Sequence, residues 1–147
     1  MLRFILLISL FTFLSLSSNE NASKGTLIVK VEGIKKVEGN VGVLVFNKSQ
    51  GFPDDKTQAI LSKEVKVLRK SLSISLPKLP YGDYAIALVH DVNANKKLDR
   101  TLIGIPKEPF GFSNNKSIFK GLPNFKEAAV RLDGSKSETV IRLVDLW

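Results

Sequence analysis

From Thr26 onward, apolar and polar positions alternate along the chain in short runs. Leu27, Val29 and Val31 share one face and Thr26, Lys30 and Glu32 the other, which predicts a strand over 26–32 with one buried side. Ile28 breaks the alternation, as a position near a second layer does. The run 41–46 is apolar on both faces apart from Gly42 and predicts a central strand. A short strand is expected over 64–68. Leu72, Ile74 and Leu76 alternate with Ser71, Ser73 and Ser75, the cleanest half-buried pattern in the sequence. Pro80 and Gly82 give 79–84 turn geometry, and 85–89 behind it is apolar enough for a sheet interior. Two last strands are expected over 127–132 and 139–146, joined as a hairpin by Asp133-Gly134-Ser135. Val140, Leu143 and Leu146 depart from period two, which predicts a bulge in the final strand. A helical turn capped by Asp55 is expected over 57–62.

About seven short strands between turns, without a long amphipathic helix, predict an all-β fold: a single immunoglobulin-like or transthyretin-like β-sandwich. No internal repeat divides it. The start of the chain reads differently. Arg3 precedes an almost unbroken apolar run over 4–14, and Ser15-Leu16-Ser17 offers small residues where a signal peptidase cuts. The apolar run is shorter than the roughly 20 residues a spanning helix needs. The expected organisation is therefore a signal peptide over 1–17, a flexible polar leader over 18–25 and a sandwich domain over 26–147. An exported protein follows, periplasmic or extracellular, with no transmembrane segment in its mature chain. The chain has no cysteine, which excludes a thioether lipid anchor and leaves stability to the core alone.

Charge narrows the partners slightly. Lys and Arg number 22 against 14 Asp and Glu, a formal net charge of +8. Such an excess favours anionic partners, whether nucleic acid, lipid headgroups or acidic polysaccharide. The lysines are scattered and no nucleic-acid-binding motif organises them, so nucleic acid is not expected. A cell-envelope component, a polysaccharide or another protein is the expected kind of partner.

Candidate chemistry is concentrated in 90–115. Asp91, Asn93, Asn95 and Asp99 place oxygen-bearing side chains at relative positions 1, 3, 5 and 9, with the Lys97 carbonyl at position 7. That spacing lets one loop wrap a hard cation such as Ca²⁺. Lys96 stands at position 6, where the usual calcium loop has glycine, and Leu102 at position 12, where it has a bidentate acid. Glu108 folding back as a further ligand would strengthen the set, and the expected affinity is weak, about 0.1–1 mM. The other reading is that these Asx side chains bond their own backbone and stabilise a long turn. His90, the only histidine, is either half of an acid–base pair with Asp91 or Glu108, or a side chain that holds a loop carbonyl. Phe110, Phe112, Asn114 and Asn115 either line a groove for a sugar or peptide, or belong to a loop that packs its aromatics over the sandwich end. Phe52, Phe119, Leu122 and Phe125 would join that second arrangement.

Three motifs carry a resemblance: Leu79-Pro80-x-Gly82-x-Tyr84-Ala85, then His90-Asp91-x-Asn93-x-Asn95-x-Lys97-Leu98-Asp99, then Gly104-x-Pro106-x-Glu108-Pro109-x-Gly111-Phe112-Ser113-Asn114-Asn115. Together they resemble a family of small exported bacterial proteins known as a domain of unknown function, over nearly the whole mature chain. Lys96 departs from that family, where glycine is usual. The chain is more loosely similar to immunoglobulin-like and transthyretin-like bacterial surface modules, some of which bind calcium structurally. The resemblance implies a secreted β-sandwich without an assigned activity. The resulting expectation is a non-enzymatic binding or envelope-associated module with a weak Ca²⁺ loop. Its alternative is a metal-free carbohydrate- or peptide-binding protein using 104–115.

Overall fold

The computed structural model describes residues 23–146. The expected signal peptide over 1–17 lies outside them. Eight strands form among the described residues: β1 (Lys24–Glu32), β2 (Asn40–Phe46), β3 (Leu61–Lys66), β4 (Leu72–Pro80), β5 (Gly82–Asp91), β6 (Phe110–Phe112), β7 (Val130–Leu132) and β8 (Lys136–Arg142). A single α turn, α1 (Phe125–Ala128), precedes β7. Two sheets result. One has the order β4-β1-β8; the other runs β3-β2-β5-β6, with β7 also on β5. The all-β sandwich is thus the observed architecture.

Alternation decides which residues fill the space between the sheets. Leu27, Val29 and Val31 of β1, Ile74 and Leu76 of β4 and Ile141 of β8 meet Val41, Val43 and Val45 of β2 and Ile86 and Leu88 of β5 in one buried cluster. β5 is central in its sheet, and with the core on its inner face and the Phe110–Phe112 cluster on its outer face, residues 84–88 are all buried. β6 and β7 continue one another along the same edge of β5, interrupted by the excursion 113–129.

Several local expectations are corrected. The leader was expected to reach residue 25, but Lys24 and Gly25 already pair with Pro80 and Leu79. Residues 125–128 are α1 and not strand: Asn124 accepts the Glu127 N–H, Glu127 reaches back to the Asn124 N–H, and this capping box outweighs the apolar pattern. Asp133–Ser135 is no hairpin turn, because β7 pairs with β5 and β8 pairs in parallel with β1, so the link crosses between sheets. β8 carries no bulge; it pairs continuously with β1 and the chain then leaves the sheet, where Val144 bonds Phe110. The irregularity falls instead between Gly25 and Leu27 of β1. Over 57–62, Asp55 caps only a turn through Thr57, and Leu61 already belongs to β3 opposite Val45.

Candidate functional site

β5 delivers the site. Its last residues, His90 and Asp91, pair with Val41 and Asn40 of β2, which fixes where the following loop begins. Gly39 has a φ of +66°, and a Cβ there would stand 2.0 Å from the Asp91 carbonyl oxygen, so only glycine serves. His90 is 1% exposed. Its Nε2 lies 2.9 Å from the Glu38 carbonyl and its backbone N–H donates to Pro109 at 2.7 Å, so it holds two loop segments together.

Beyond Asp91 the chain folds around its own side chains. Asp91 accepts the backbone N–H of Asn95 at 3.1 Å and of Lys96 at 2.7 Å, one on each carboxylate oxygen. Asn93 accepts from Asn95 N–H at 3.1 Å, and Asn95 accepts from Lys97 N–H at 2.8 Å. Both asparagines donate to Asp99, Asn93 at 2.7 Å and Asn95 at 3.1 Å. The four oxygen-bearing side chains converge as their spacing predicts. They do so through Asx turns, with the Asn93 and Asn95 oxygens on backbone N–H groups and their amide N–H groups on Asp99, so what the structure realises is the loop-stabilising arrangement. Lys96 makes the sharp turn at φ +63° in glycine's place, and Ala94 lies at +55°. Each such residue costs about 1–2 kcal/mol, which the side-chain bonds within the loop offset.

Glu108 joins this loop through a narrow hairpin. Lys107 N–H donates to the Asp99 carbonyl at 2.8 Å, Thr101 N–H to Ile105 at 2.8 Å, and Gly104 N–H back to Thr101 at 2.9 Å. The doubled chain returns Glu108 beside Asp99, whose N–H donates to Glu108 Oε2 at 3.3 Å. Glu108 is 7% exposed. Its other oxygen, Oε1, is buried without a hydrogen-bond partner, as is His90 Nδ1. Burial, with the charges of Asp91 and Asp99, pushes the Glu108 carboxyl above its ordinary value, against the pull of the Asp99 and Val92 N–H groups. Asp99 moves the opposite way, held below the usual range by the Asn95 and Asn93 amides, with Lys107 and Lys97 adding to this. His90, Asn93, Asp99 and Glu108 line a cleft of about 440 Å³ rimmed by Lys35, Lys36 and Lys107.

An ion here would rely on mixed donors. Among the described residues no three or more His, Cys, Asp or Glu side chains form a ready metal site. The oxygens on hand are carboxylate, side-chain amide and carbonyl, the chemistry calcium prefers over zinc. To offer their oxygens, Asn93 and Asn95 must give up their bonds to Asn95 and Lys97 N–H, which weakens any such site. The set fits calcium in kind and disfavours tight binding.

The 104–115 segment corrects the groove reading. Phe110 and Phe112 are only 5% and 7% exposed. They contact each other edge-to-face at 5.8 Å, and Phe52 links Phe112 to Phe46 and Phe125 in the same geometry. The rings are packed against sheet and loop, as an aromatic cap. Asn114 and Asn115 are exposed but spend their amides on backbone: Asn114 on the Glu127 and Ala129 carbonyls, Asn115 on Val140 O and Arg142 N–H, both at 2.7 Å. Asn115 thus imitates a strand peptide on the open edge of β8. Gly111 lets the segment approach, since a Cβ there would lie 2.9 Å from the Arg142 carbonyl.

A family model described as "Uncharacterized protein conserved in bacteria (DUF2141)" matches residues 29–140. The chain belongs to that family. The match runs from β1 to β8 and so contains both sheets, the Asx loop and the hairpin. The resemblance to a bacterial domain of unknown function is borne out at this level. No curated protein and no solved structure matches the chain.

Two positions of this DUF2141 chain matter more than their sequence indicated. Ser113 is fully buried, accepts the Ile86 N–H at 2.9 Å and donates to the Ala128 carbonyl, closing the gap between β6 and β7. Its one sequence signal is its place inside the Phe112-Ser113-Asn114-Asn115 run. Tyr84 is also buried and donates its hydroxyl to the Pro80 carbonyl at 2.6 Å, four residues upstream. The Leu79-Pro80-x-Gly82-x-Tyr84 spacing carries that bond, a tyrosine corner at the crossing from β4 to β5.

Proposed function

We propose that the protein is an exported, non-enzymatic envelope module whose 91–99 loop, with Glu108, binds Ca²⁺ weakly. The observation that carries this reading is Glu108 Oε1, a buried carboxylate oxygen without a partner beside the Asp91 and Asp99 carboxylates. A buried, unsatisfied acid near two others is costly unless it is protonated or neutralised by a cation. Asn93 and Asn95 hold Asp99 in the loop through their amide N–H groups, and their oxygens would turn from backbone N–H to the ion. Asp91, Asn93, Asn95, Asp99 and Glu108 would supply side-chain oxygens, and the Lys97 carbonyl a backbone one. Bound calcium would bring charge neutralisation there and nothing redox-active. The nearby charges of Lys96, Lys97 and Lys107 keep the expected affinity in the class of about 0.1–1 mM. Binding is favoured over catalysis because His90 is enclosed and its Nε2 is committed to Glu38. Export is supported by the apolar run behind Arg3.

Thermal melting and calorimetry in millimolar calcium against chelator test the ion. Calcium should raise the wild-type melting temperature, and Glu108→Gln should abolish most of that rise while remaining folded. Superimposable wild-type melts in calcium and chelator, with no binding heat, would remove the calcium reading.

A further inference from the structure

The hairpin that returns Glu108 to the loop also presents an unusual tip. Thr101 to Gly104 is a hydrogen-bonded turn, and its two corner residues are Leu102 and Ile103, at 108% and 81% exposure. Turn corners ordinarily carry Gly, Pro, Asn, Asp or Ser, because these satisfy the geometry and face water without loss. Two adjacent large aliphatic side chains there contribute nothing to the fold's core. The turn is nonetheless held firmly: Thr101 Oγ1 accepts the Ile105 N–H at 3.0 Å, and the Arg100 guanidinium donates to the Gly104 carbonyl at 3.1 Å. A rigid support beneath an exposed apolar pair is what an inserting element needs.

We propose that the 99–107 hairpin is a lipid-docking finger that places Leu102 and Ile103 in an anionic membrane surface. Charge around the finger selects this occupant. Lys96, Lys97, Arg100 and Lys107 are all exposed at its base and flank, while Asp91 and Glu108 are buried and Asp99 is half-buried under two amides. Asp54, 3.6 Å from Arg100, and Glu64, 4.0 Å from Lys96, offset two of the four cations and leave Lys97 and Lys107. An aliphatic tip on a hairpin with exposed cations at its base matches acyl chains beneath anionic headgroups. Two side chains are also far too small for a specific protein interface, which buries about 800 Å² on each partner. The same two side chains suffice when attraction between charges adds to their burial, as in peripheral membrane binding. The proposal stands on the hairpin and its charges and is independent of whether the loop binds calcium.

Sedimentation with vesicles in millimolar calcium tests it, using the wild type and L102N/I103N with identical N-termini. The wild type should bind phosphatidylcholine vesicles containing phosphatidylglycerol and largely ignore pure phosphatidylcholine. The double variant, altered only at fully exposed turn positions, should partition at least about tenfold more weakly. Raising the salt should weaken wild-type binding, because exposed charges are screened. Since the chain has no cysteine, Ile103→Cys gives a single labelling position. An environment-sensitive fluorophore there should shift blue on the anionic vesicles. Equal binding by the double variant, equal binding to neutral vesicles, or an unshifted fluorophore would each overturn the proposal. So would a wild type that ignores vesicles and associates with itself through Leu102 and Ile103.

Discussion

Tyr84 shows how one buried hydroxyl sets both a corner of the fold and a pH dependence. Its bond to the Pro80 carbonyl fixes the crossing from β4 to β5, and burial pushes its pKa above the ordinary 10.0. The native state therefore keeps the phenol proton at pH values where the unfolded chain releases it. The contribution is complete below the ordinary value and is lost as pH rises through the raised one. Tyr84→Phe should lower stability by about 1 kcal/mol at neutral pH, where the Pro80 carbonyl loses its donor. It should also flatten the alkaline decline. Urea melts of both proteins at neutral and alkaline pH measure the two effects together.

Between residues and sheets, the Ser113-Asn114-Asn115 element works as a clasp. β6 and β7 occupy one edge of β5 with the excursion 113–129 between them, so the Ile86 N–H has no strand partner there. Ser113 supplies it, and Asn115 supplies both a donor and an acceptor to β8 in the opposite sheet. Ser113→Ala should cost about 1–3 kcal/mol, because buried groups on Ile86 and Ala128 are left unpaired. Asn115→Ala should cost less, as its partners reach water. Hydrogen exchange should report faster Ile86 amide exchange in the first variant and faster Arg142 exchange in the second. Unchanged rates at those two amides would mean that the clasp is dispensable.

At the scale of the whole molecule, one apolar interior joins two sheets, and a second, smaller cluster covers the outer face of the larger sheet. Ala87, Phe110 and Phe112 form that second cluster with Leu44, Phe52, Val89 and Ile118 packed on it. It ties the 51–53 loop, β6 and the excursion to β5, so it supports the segment that leads out of the Glu108 hairpin. Phe112→Ala should cost about 3–5 kcal/mol through the lost ring and the cavity left behind. Unfolding should remain a single transition, with aromatic and backbone signals coincident. A loss confined to the aromatic signal would show that the outer cluster melts apart from the core.

Strand periodicity was enough to determine the all-β architecture, because burying one face of a strand requires alternation wherever the strand lies. The convergence of Asp91, Asn93, Asn95 and Asp99 was equally legible, since Asx turns form between near neighbours in the chain. Other features depended on contacts distant in sequence. Alternation names a buried face without naming its partner, so the Asp133–Ser135 link has the local pattern of a hairpin although β7 and β8 lie on different sheets. The burial of Phe110 and Phe112 needed Phe52 from another loop. The isolation of Glu108 Oε1 needed the hairpin to carry it back against Asp99. Local pattern fixes which side of an element avoids water; only the assembled sheets decide what that side meets, and which polar atoms are left without a partner.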